Sequence, residues 1–134
     1  MFMTAEETED DLRARLRPIL AQHNLSWRDI ASSFYAFCCA TEDATLGRPD
    51  RNRIIRPTPL FASLEEAVLD IKPRLIVLEA LTDIFAGKEN ERREVNEFVK
   101  LYLHRLAIKT SGAVLVLGHT SAAGLATGSG DSGS

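Results

Sequence analysis

The sequence predicts an α/β fold with a mainly parallel sheet flanked by helices. Segments with strand character alternate with segments of helical periodicity along the 134 residues. The segment at 74–80, RLIVLEA, is apolar on both faces, which is typical of a central parallel strand covered by helices. The composition, 45% hydrophobic and 26% charged, is that of one soluble globular domain with a sizeable core.

Four segments have the aliphatic and aromatic content of strands. They are MFMTA (1–5), FYAFCC (34–39), RLIVLEA (74–80) and AVLVLG (113–118). We expect the last of these to be a second buried strand. Residues 41–58 are polar and contain proline and glycine, which predicts a long loop.

Three segments have helical periodicity. Thr8 is a suitable N-cap for a helix that runs to about Gln22, and Thr58 caps a second helix that ends before Pro73. The third helix runs from about residue 90 to residue 109. We expect its charged residues to face solvent; they are Glu91, Arg92, Arg93, Glu94 and Glu97.

Charge and cysteine content exclude several classes of protein. The net charge of −3 gives no global basic field toward nucleic acid or membranes. The four arginines of the 41–58 segment favour a solvated loop, with contact to DNA or a neighbouring subunit as the alternative; they are Arg48, Arg51, Arg53 and Arg56. The adjacent pair Cys38 and Cys39 provides no disulfide framework, which favours the cytoplasm. No apolar run approaches the roughly 20 residues that span a bilayer, so no membrane association is expected.

Polar residues follow three of the predicted strands where each strand ends. Glu6 follows MFMTA, Glu79 and Asp83 follow RLIVL, and His119 follows AVLVLG. Ligands of parallel α/β sheets bind at the carboxyl ends of the strands, so we expect these residues to converge. The set suits nucleoside triphosphate hydrolysis, in which one carboxylate holds the Mg²⁺ shell through water and a second orients the attacking water. The alternative is that these are ordinary strand-end residues that meet solvent.

The order of the motifs resembles the RecA-like hexameric ATPases of plasmid and phage replication, the RepA-type helicase group. The matching segments are FMTAEE followed by DDLRARL, then RPTPLF, RLIVLEALTDIFAGKENERREVNEFVKLYLHRLA and GAVLVLGHTSAAGLATGSGDSGS. This resemblance implies an AAA family ATPase with a P-loop NTPase fold, which uses ATP and Mg²⁺ as cofactors. It further implies a homo-hexamer in the full-length protein that acts on single-stranded DNA as a helicase in replication.

The resemblance also assigns roles to individual residues. Glu6 matches the catalytic glutamate, and His119 matches the histidine that contacts the γ-phosphate or relays its loss. Glu79 stands at the Walker B aspartate position and is expected to hold Mg²⁺ through water, with Asp83 in support of the cofactor. Residues 122–134 resemble the loop that faces single-stranded DNA; its candidate contacts are Ser129, Gly130, Ser132 and Gly133.

Three departures from the family pattern limit what we expect of the isolated chain. No GxxxxGK[ST] motif occurs, and the family's arginine that reaches the neighbouring subunit's nucleotide would lie past the SGS at the end of this sequence. The third and smaller departure is that Glu79 replaces an aspartate, which moves the carboxylate outward by roughly one bond length. We therefore expect residues 1–121 to be a partial RecA-like ATPase core with a Walker B strand at 74–79, lacking the Walker A strand and loop. Residues 122–134 are expected to be a truncated Gly/Ser-rich loop. This fragment should not hydrolyse ATP by itself and should expose an apolar sheet edge.

Two other functions are compatible with the same residues. A RecA-like recombination or regulatory ATPase would have the same core. A non-catalytic α/β interaction module would have Glu6, Glu79 and His119 as strand-end residues without a chemical role.

Overall fold

The computed structural model of the chain describes residues 1–88 and 91–119. Six strands lie in this part: β1 (Phe2–Thr4), β2 (Ala36–Cys38), β3 (Gly47–Pro49), β4 (Ile55–Pro57), β5 (Leu75–Glu79) and β6 (Ala113–Val116). Six helices accompany them: α1 (Glu9–Gln22), α2 (Trp27–Ile30), α3 (Pro59–Ile71), α4 (Leu81–Ile84), α5 (Arg92–Phe98) and α6 (His104–Thr110). A π-helical turn, Val99–Leu103, joins α5 to α6.

The main sheet is parallel and has the strand order β2-β1-β5-β6. This arrangement confirms the predicted α/β class with a mainly parallel sheet flanked by helices. From β1 the chain crosses to β2 on one side, whereas from β5 it crosses to β6 on the other side. The strand order therefore changes direction between β1 and β5, and Thr4 pairs with Glu79 at the carboxyl end of this junction.

Both predicted N-caps are present. The Thr8 side chain accepts a hydrogen bond from the Asp11 N–H at 3.2 Å, and the Asp11 carboxylate accepts one from the Thr8 N–H at 3.2 Å. This reciprocal capping box satisfies two of the free donors at the start of α1. Thr58 accepts from the Phe61 N–H at 3.3 Å, with Pro59 as the first residue of α3. The short side chain of threonine thus sets where both helices begin.

The core lies on one face of the sheet. Because side chains alternate along a strand, Met3, Ile76 and Leu78 point to this face and are almost completely buried. Aromatic rings from the helices pack against these side chains. The ring centroids of Phe61 in α3 and Tyr102 in the π-helical turn lie 5.3 Å apart. The opposite face is covered less completely on β5 and β6. Its exposed apolar side chains are Leu75 (47% exposed), Leu115 (49%) and Leu117 (37%).

The prediction of a long loop at 41–58 was wrong in part, since the segment contains the antiparallel hairpin β3–β4. Two apolar side chains inside this polar stretch, Leu46 and Ile55, are fully buried and tie the hairpin to the core. Gly47 also bridges to Phe85 beside β5. The two strands are only three residues long, and Pro49 and Pro57 end them, so their composition resembles that of a loop.

Two further expectations were also wrong. β6 is not buried on both faces, because within the described residues it pairs only with β5 and its Leu115 is half exposed. Glu94 does not face solvent, since its side chain accepts hydrogen bonds from Arg53 and from the Lys88 N–H and is 4% exposed. A charged residue is buried in this way when its partners are supplied by the fold.

None of the helices in the described ranges is long and apolar enough to cross a membrane.

Candidate functional site

The candidate site lies at the carboxyl ends of β1 and β5, the neighbouring strands from which the chain crosses to opposite sides of the sheet. The Ala5 N–H donates to the Glu79 carbonyl at 2.8 Å and holds the two strand ends together. Beyond β6, the Leu117 N–H donates to the Leu78 carbonyl at 2.9 Å, which carries the chain toward the same edge. Ligands of open α/β sheets bind at such a switch point. Glu6, Glu79 and His119 are therefore brought to one edge of the sheet.

Glu6 and His119 are in direct contact. The His119 Nε2 lies 2.8 Å from the Glu6 Oε1, and the two side chains are 63% and 41% exposed. The hydrogen bond with Glu6 and its negative charge raise the pKa of His119, and the charges of Asp83 and Glu79 raise it further. The imidazolium form is thus favoured beside the Glu6 carboxylate.

Only one of the two adjacent glutamates after β1 faces His119. The Glu7 carboxylate accepts a hydrogen bond from Arg15 of α1 and forms an ion pair with it. Its side chain is therefore engaged by the helix, whereas the Glu6 carboxylate reaches across the edge of the sheet. The sequence places Glu6 and Glu7 side by side, but the structure separates their environments.

Glu79 ends β5 with a half-buried side chain. Its Oε2 atom is buried and has no hydrogen-bond partner among the described residues. A buried carboxylate oxygen without a partner is costly and is most easily explained by a cation or a donor that binds there. Glu79 is thus the described residue best suited to meet a cation at this edge.

The remaining predicted residues are less closely associated with this contact. Asp83 is exposed in α4 and accepts a hydrogen bond from the Thr82 hydroxyl at 3.1 Å. Its recorded link to the other site residues is the charge effect on His119. The candidate DNA contacts lie outside the described residues; they are Ser129, Gly130, Ser132 and Gly133.

A family model described as an AAA domain matches residues 1–124 of the chain. The match includes β1, β5, β6 and the polar residues that follow them. The chain belongs to the AAA domain family. A comparison with curated protein sequences found no match. The family match indicates an ATPase-like domain of the P-loop NTPase type. Members of such families generally use a nucleotide and Mg²⁺.

The oxygen-rich edge of this AAA domain fits Mg²⁺ in part. Carboxylates are the ligands that this hard cation prefers, and Glu79 provides a buried oxygen that lacks a partner. In the described part of the chain, no three His, Cys, Asp or Glu side chains are grouped closely enough to hold a metal by themselves. Mg²⁺ is commonly held by one or two carboxylates together with waters and substrate phosphates. The residues therefore fit a cation that arrives with a nucleotide.

The arginines of the β3–β4 hairpin do not form an unpaired basic surface. Arg48 pairs with Asp43 at 2.8 Å and Arg56 with Asp50 at 3.0 Å. Arg53 pairs with the buried Glu94 at 2.7 Å. Three of the four arginines thus have carboxylate partners inside the AAA domain, which agrees better with a solvated structural element than with a DNA contact.

Sequence reasoning missed Thr4, the last residue of β1. Its side chain is fully buried and its Oγ1 accepts hydrogen bonds from the N–H groups of Glu6 and Glu7. A threonine that ends an apolar strand directly before a turn is the signal that would have identified it, since its hydroxyl commonly accepts from nearby N–H groups.

In the described residues, the Glu6–His119 contact is exposed at the edge of the AAA domain. A groove of about 470 Å³ lies between α1, α2 and β2, and another of about 520 Å³ lies near the amino ends of the strands. Neither is lined by Glu6, Glu79 or His119.

Proposed function

We propose that this AAA domain is part of an ATP-hydrolysing, DNA-handling hexameric helicase of the RepA type, which acts in plasmid or phage replication in the cytoplasm. The observation that carries the proposal is the hydrogen bond of Glu6 to His119 at 2.8 Å, at the carboxyl edge of the sheet where β5 ends in Glu79. In a family of ATPase-like domains, two carboxylates and a histidine are a suitable set for phosphoanhydride hydrolysis.

Each residue has a chemical role that its environment supports. Glu6 is exposed enough to orient a water molecule and accept its proton. His119, favoured in its charged form, is a donor for the terminal phosphate. Glu79 has a buried oxygen without a partner among the described residues, which a cation or donor would satisfy, and Asp83 adds negative charge near His119. When bound, Mg²⁺ would neutralise charge on the phosphates.

The phosphate-binding loop is proposed to come from a further strand beside β6. The sequence contains no GxxxxGK[ST] motif. In the described residues, β6 has a free edge and an apolar face on which Leu115 and Leu117 are exposed. A parallel strand with its following loop and helix would cover this face and bring phosphate-binding N–H groups to the carboxyl edge of the sheet. The homo-hexamer and the contact of residues 122–134 with single-stranded DNA are proposed from the resemblance.

The test begins with the DNA upstream of this reading frame, where a GxxxxGK[ST] motif in frame is expected. ATP hydrolysis is then measured for the polypeptide that includes this motif. We expect Mg²⁺-dependent activity that single-stranded DNA stimulates, that Glu6→Gln and Glu79→Gln abolish, and that the control Glu7→Gln retains. Activity that Glu6→Gln leaves intact would contradict the proposed roles.

The same measurements distinguish the two alternatives. An ATPase without strand separation would indicate a recombination or regulatory ATPase. The absence of an upstream phosphate loop, together with no nucleotide-dependent activity, would favour a non-catalytic interaction module. For the 134-residue chain alone we expect no ATP hydrolysis, and Mg²⁺-dependent hydrolysis that Glu6→Gln removes would show that the loop is dispensable.

A further inference from the structure

Thr4 is one of the two buried polar or charged residues in the described part of the chain, the other being Glu94. It ends β1, pairs with Cys38 on one side and with Glu79 on the other, and has no exposed surface. A buried hydroxyl is costly unless it is hydrogen-bonded. The Thr4 Oγ1 accepts from the Glu6 N–H at 3.2 Å and from the Glu7 N–H at 3.3 Å.

These hydrogen bonds fix the backbone that carries Glu6. The Ala5 N–H donates to the Glu79 carbonyl, so three successive N–H groups after Thr4 are anchored at the edge of the sheet. Two of the three are held by a single side-chain oxygen. A threonine oxygen that accepts from residues two and three positions ahead closes a turn directly after the strand. The direction in which Glu6 leaves the strand therefore depends on Thr4.

The other partner of the contact is held independently of Thr4. The Leu117 N–H donates to the Leu78 carbonyl at 2.9 Å, and the Leu81 N–H donates to the Leu117 carbonyl at 2.8 Å. These backbone bonds set the position from which His119 extends. The position of His119 is thus set by backbone hydrogen bonds of the sheet, whereas the position of Glu6 depends on the Thr4 hydroxyl group.

We propose that Thr4 is a positioning residue for Glu6, whose hydroxyl oxygen holds the Ala5–Glu7 turn so that the Glu6 carboxylate meets His119 at the switch point. The catalytic meaning of this position rests on the proposed function, whereas the positioning itself rests on the hydrogen bonds of Thr4. A displacement of about 1 Å at a catalytic group is enough to reduce a rate strongly, so such a turn residue would matter to the chemistry without touching the substrate.

The first test uses the unmodified chain. Amide hydrogen exchange of Glu6 and Glu7 is measured by NMR and compared with the intrinsic rates for these sequences. We expect exchange slowed by about fivefold or more, the protection that one net hydrogen bond provides. Exchange at the intrinsic rate for both amides would overturn the proposal without any variant.

The second test compares two substitutions of Thr4. Thr4→Val keeps the shape of the side chain and removes the acceptor oxygen, whereas Thr4→Ser keeps the oxygen. The control is Thr58→Val, which removes an oxygen that likewise accepts a backbone N–H, at the start of α3 and away from the site. It also removes the hydrogen bond that the Thr58 hydroxyl donates to the Thr45 carbonyl, so it is at least as disruptive locally. The readout is the NMR titration of the His119 ring, with folding checked by the amide spectrum.

We expect Thr4→Val to lower the pKa of His119 by part of the change seen in Glu6→Gln, because the hydrogen bond is lost while the charge of Glu6 remains. Thr4→Ser and Thr58→Val should leave the pKa raised. A folded Thr4→Val chain that keeps the raised His119 pKa would overturn the proposal. If Thr4→Val does not fold, Thr4→Ser and the exchange rates of Glu6 and Glu7 decide. Loss of the raised pKa in Thr4→Ser, in which the oxygen remains, would also count against the proposal.

These readouts need no nucleotide, so they separate this proposal from the proposed function. Where the phosphate loop is present and ATP is hydrolysed, Thr4→Val is expected to lower kcat by about tenfold or more with little change in KM, and Thr4→Ser to restore it. If wild type shows no ATP hydrolysis but Thr4→Val still lowers the His119 pKa, the positioning role stands and the helicase proposal fails.

Discussion

At the scale of single residues, the contact between Glu6 and His119 has a direct consequence for titration. Glu6 raises the pKa of His119 first by its hydrogen bond and then by its charge. We expect an NMR titration to place the pKa of His119 above the ordinary value of about 6.5. In Glu6→Gln it should fall toward that value, because both effects are removed together.

The matched control is Glu7→Gln, since the Glu7 carboxylate is engaged by Arg15. A change of equal size in Glu7→Gln would indicate a general effect of negative charge. The linkage to stability has a defined sign. A raised pKa in the folded state stabilises it fully below pH 6.5, and this contribution is lost as the pH rises through the pKa of His119. The stability difference between wild type and His119→Gln should therefore shrink as the pH rises from 6 to 9.

Glu79 provides a second prediction at the same scale. One of its carboxylate oxygens is buried without a partner among the described residues, and such a group costs about 1–3 kcal/mol. We expect Glu79→Leu to raise the free energy of unfolding of the chain by roughly 1 kcal/mol, measured by urea denaturation. If replacing an acid at a candidate site makes the protein more stable, the acid is retained for function and not for stability.

Glu97→Leu is the opposite case on the last helical region. The Glu97 carboxylate accepts from the Ile55 N–H at 3.1 Å, so its removal leaves a donor without a partner. We expect this variant to be destabilised by about 1–2 kcal/mol. If Glu79→Leu were destabilised to the same extent, its buried oxygen would have a favourable partner after all.

At the scale of elements, local chemistry made some parts of the fold predictable and others not. The helix beginnings at Thr8 and Thr58 were predictable because a cap and the residues it serves are adjacent in sequence. The β3–β4 hairpin was not, because it depends on long-range burial of Leu46 and Ile55 and on an ion pair to α5. The turn of the hairpin also holds Arg53 at a positive φ of 60°. Positive φ is uncommon for residues other than glycine, so an arginine does not predict such a turn.

The ion pair between Arg53 and Glu94 is a polar link from the hairpin to α5. The Glu94 carboxylate accepts from the Arg53 Nε at 2.7 Å and from the Lys88 N–H at 3.2 Å. Arg53 is largely exposed, and screening by solvent therefore reduces the energy of the pair. We expect Glu94→Gln to lower the free energy of unfolding at pH 7 by about 1–2 kcal/mol, as measured by denaturant unfolding.

The pH dependence identifies the charge as the cause. The hydrogen bond from Arg53 lowers the pKa of Glu94 from its ordinary 4.5, outweighing the opposing effect of burial. A lowered pKa stabilises the folded state above pH 4.5, and this contribution is lost as the pH falls through the lowered value. The difference between wild type and Glu94→Gln should shrink on acidification. The exposed Glu66→Gln should show almost no effect at either pH.

At the scale of the whole molecule, the sequence located the residues at the carboxyl edge but not their contacts. Alternating strands and helices were enough to predict that Glu6, Glu79 and His119 would share one edge, because parallel strands end together. The hydrogen bond of Glu6 to His119, the engagement of Glu7 by Arg15 and the role of Thr4 depend on angles within short turns. The two side-chain contacts are set by how these turns pack at the edge of the sheet, which a residue pattern does not encode. Only the Thr4 turn has a local signal, a threonine that ends an apolar strand.

The free edge of β6 gives the last prediction. In the described residues, β6 pairs only with β5, and Leu115 and Leu117 are exposed on the less covered face of the sheet. An exposed apolar strand edge is a template for pairing with another chain. We therefore expect light scattering to show that the 134-residue chain self-associates increasingly with concentration.

Leu115→Lys should reduce this association, because it places a charge on the edge strand. Leu101→Lys is the matched control, since Leu101 is 53% exposed but lies on the π-helical turn. If Leu101→Lys suppresses the association and Leu115→Lys does not, the associating surface is on the helix, and the β6 edge does not mediate the association.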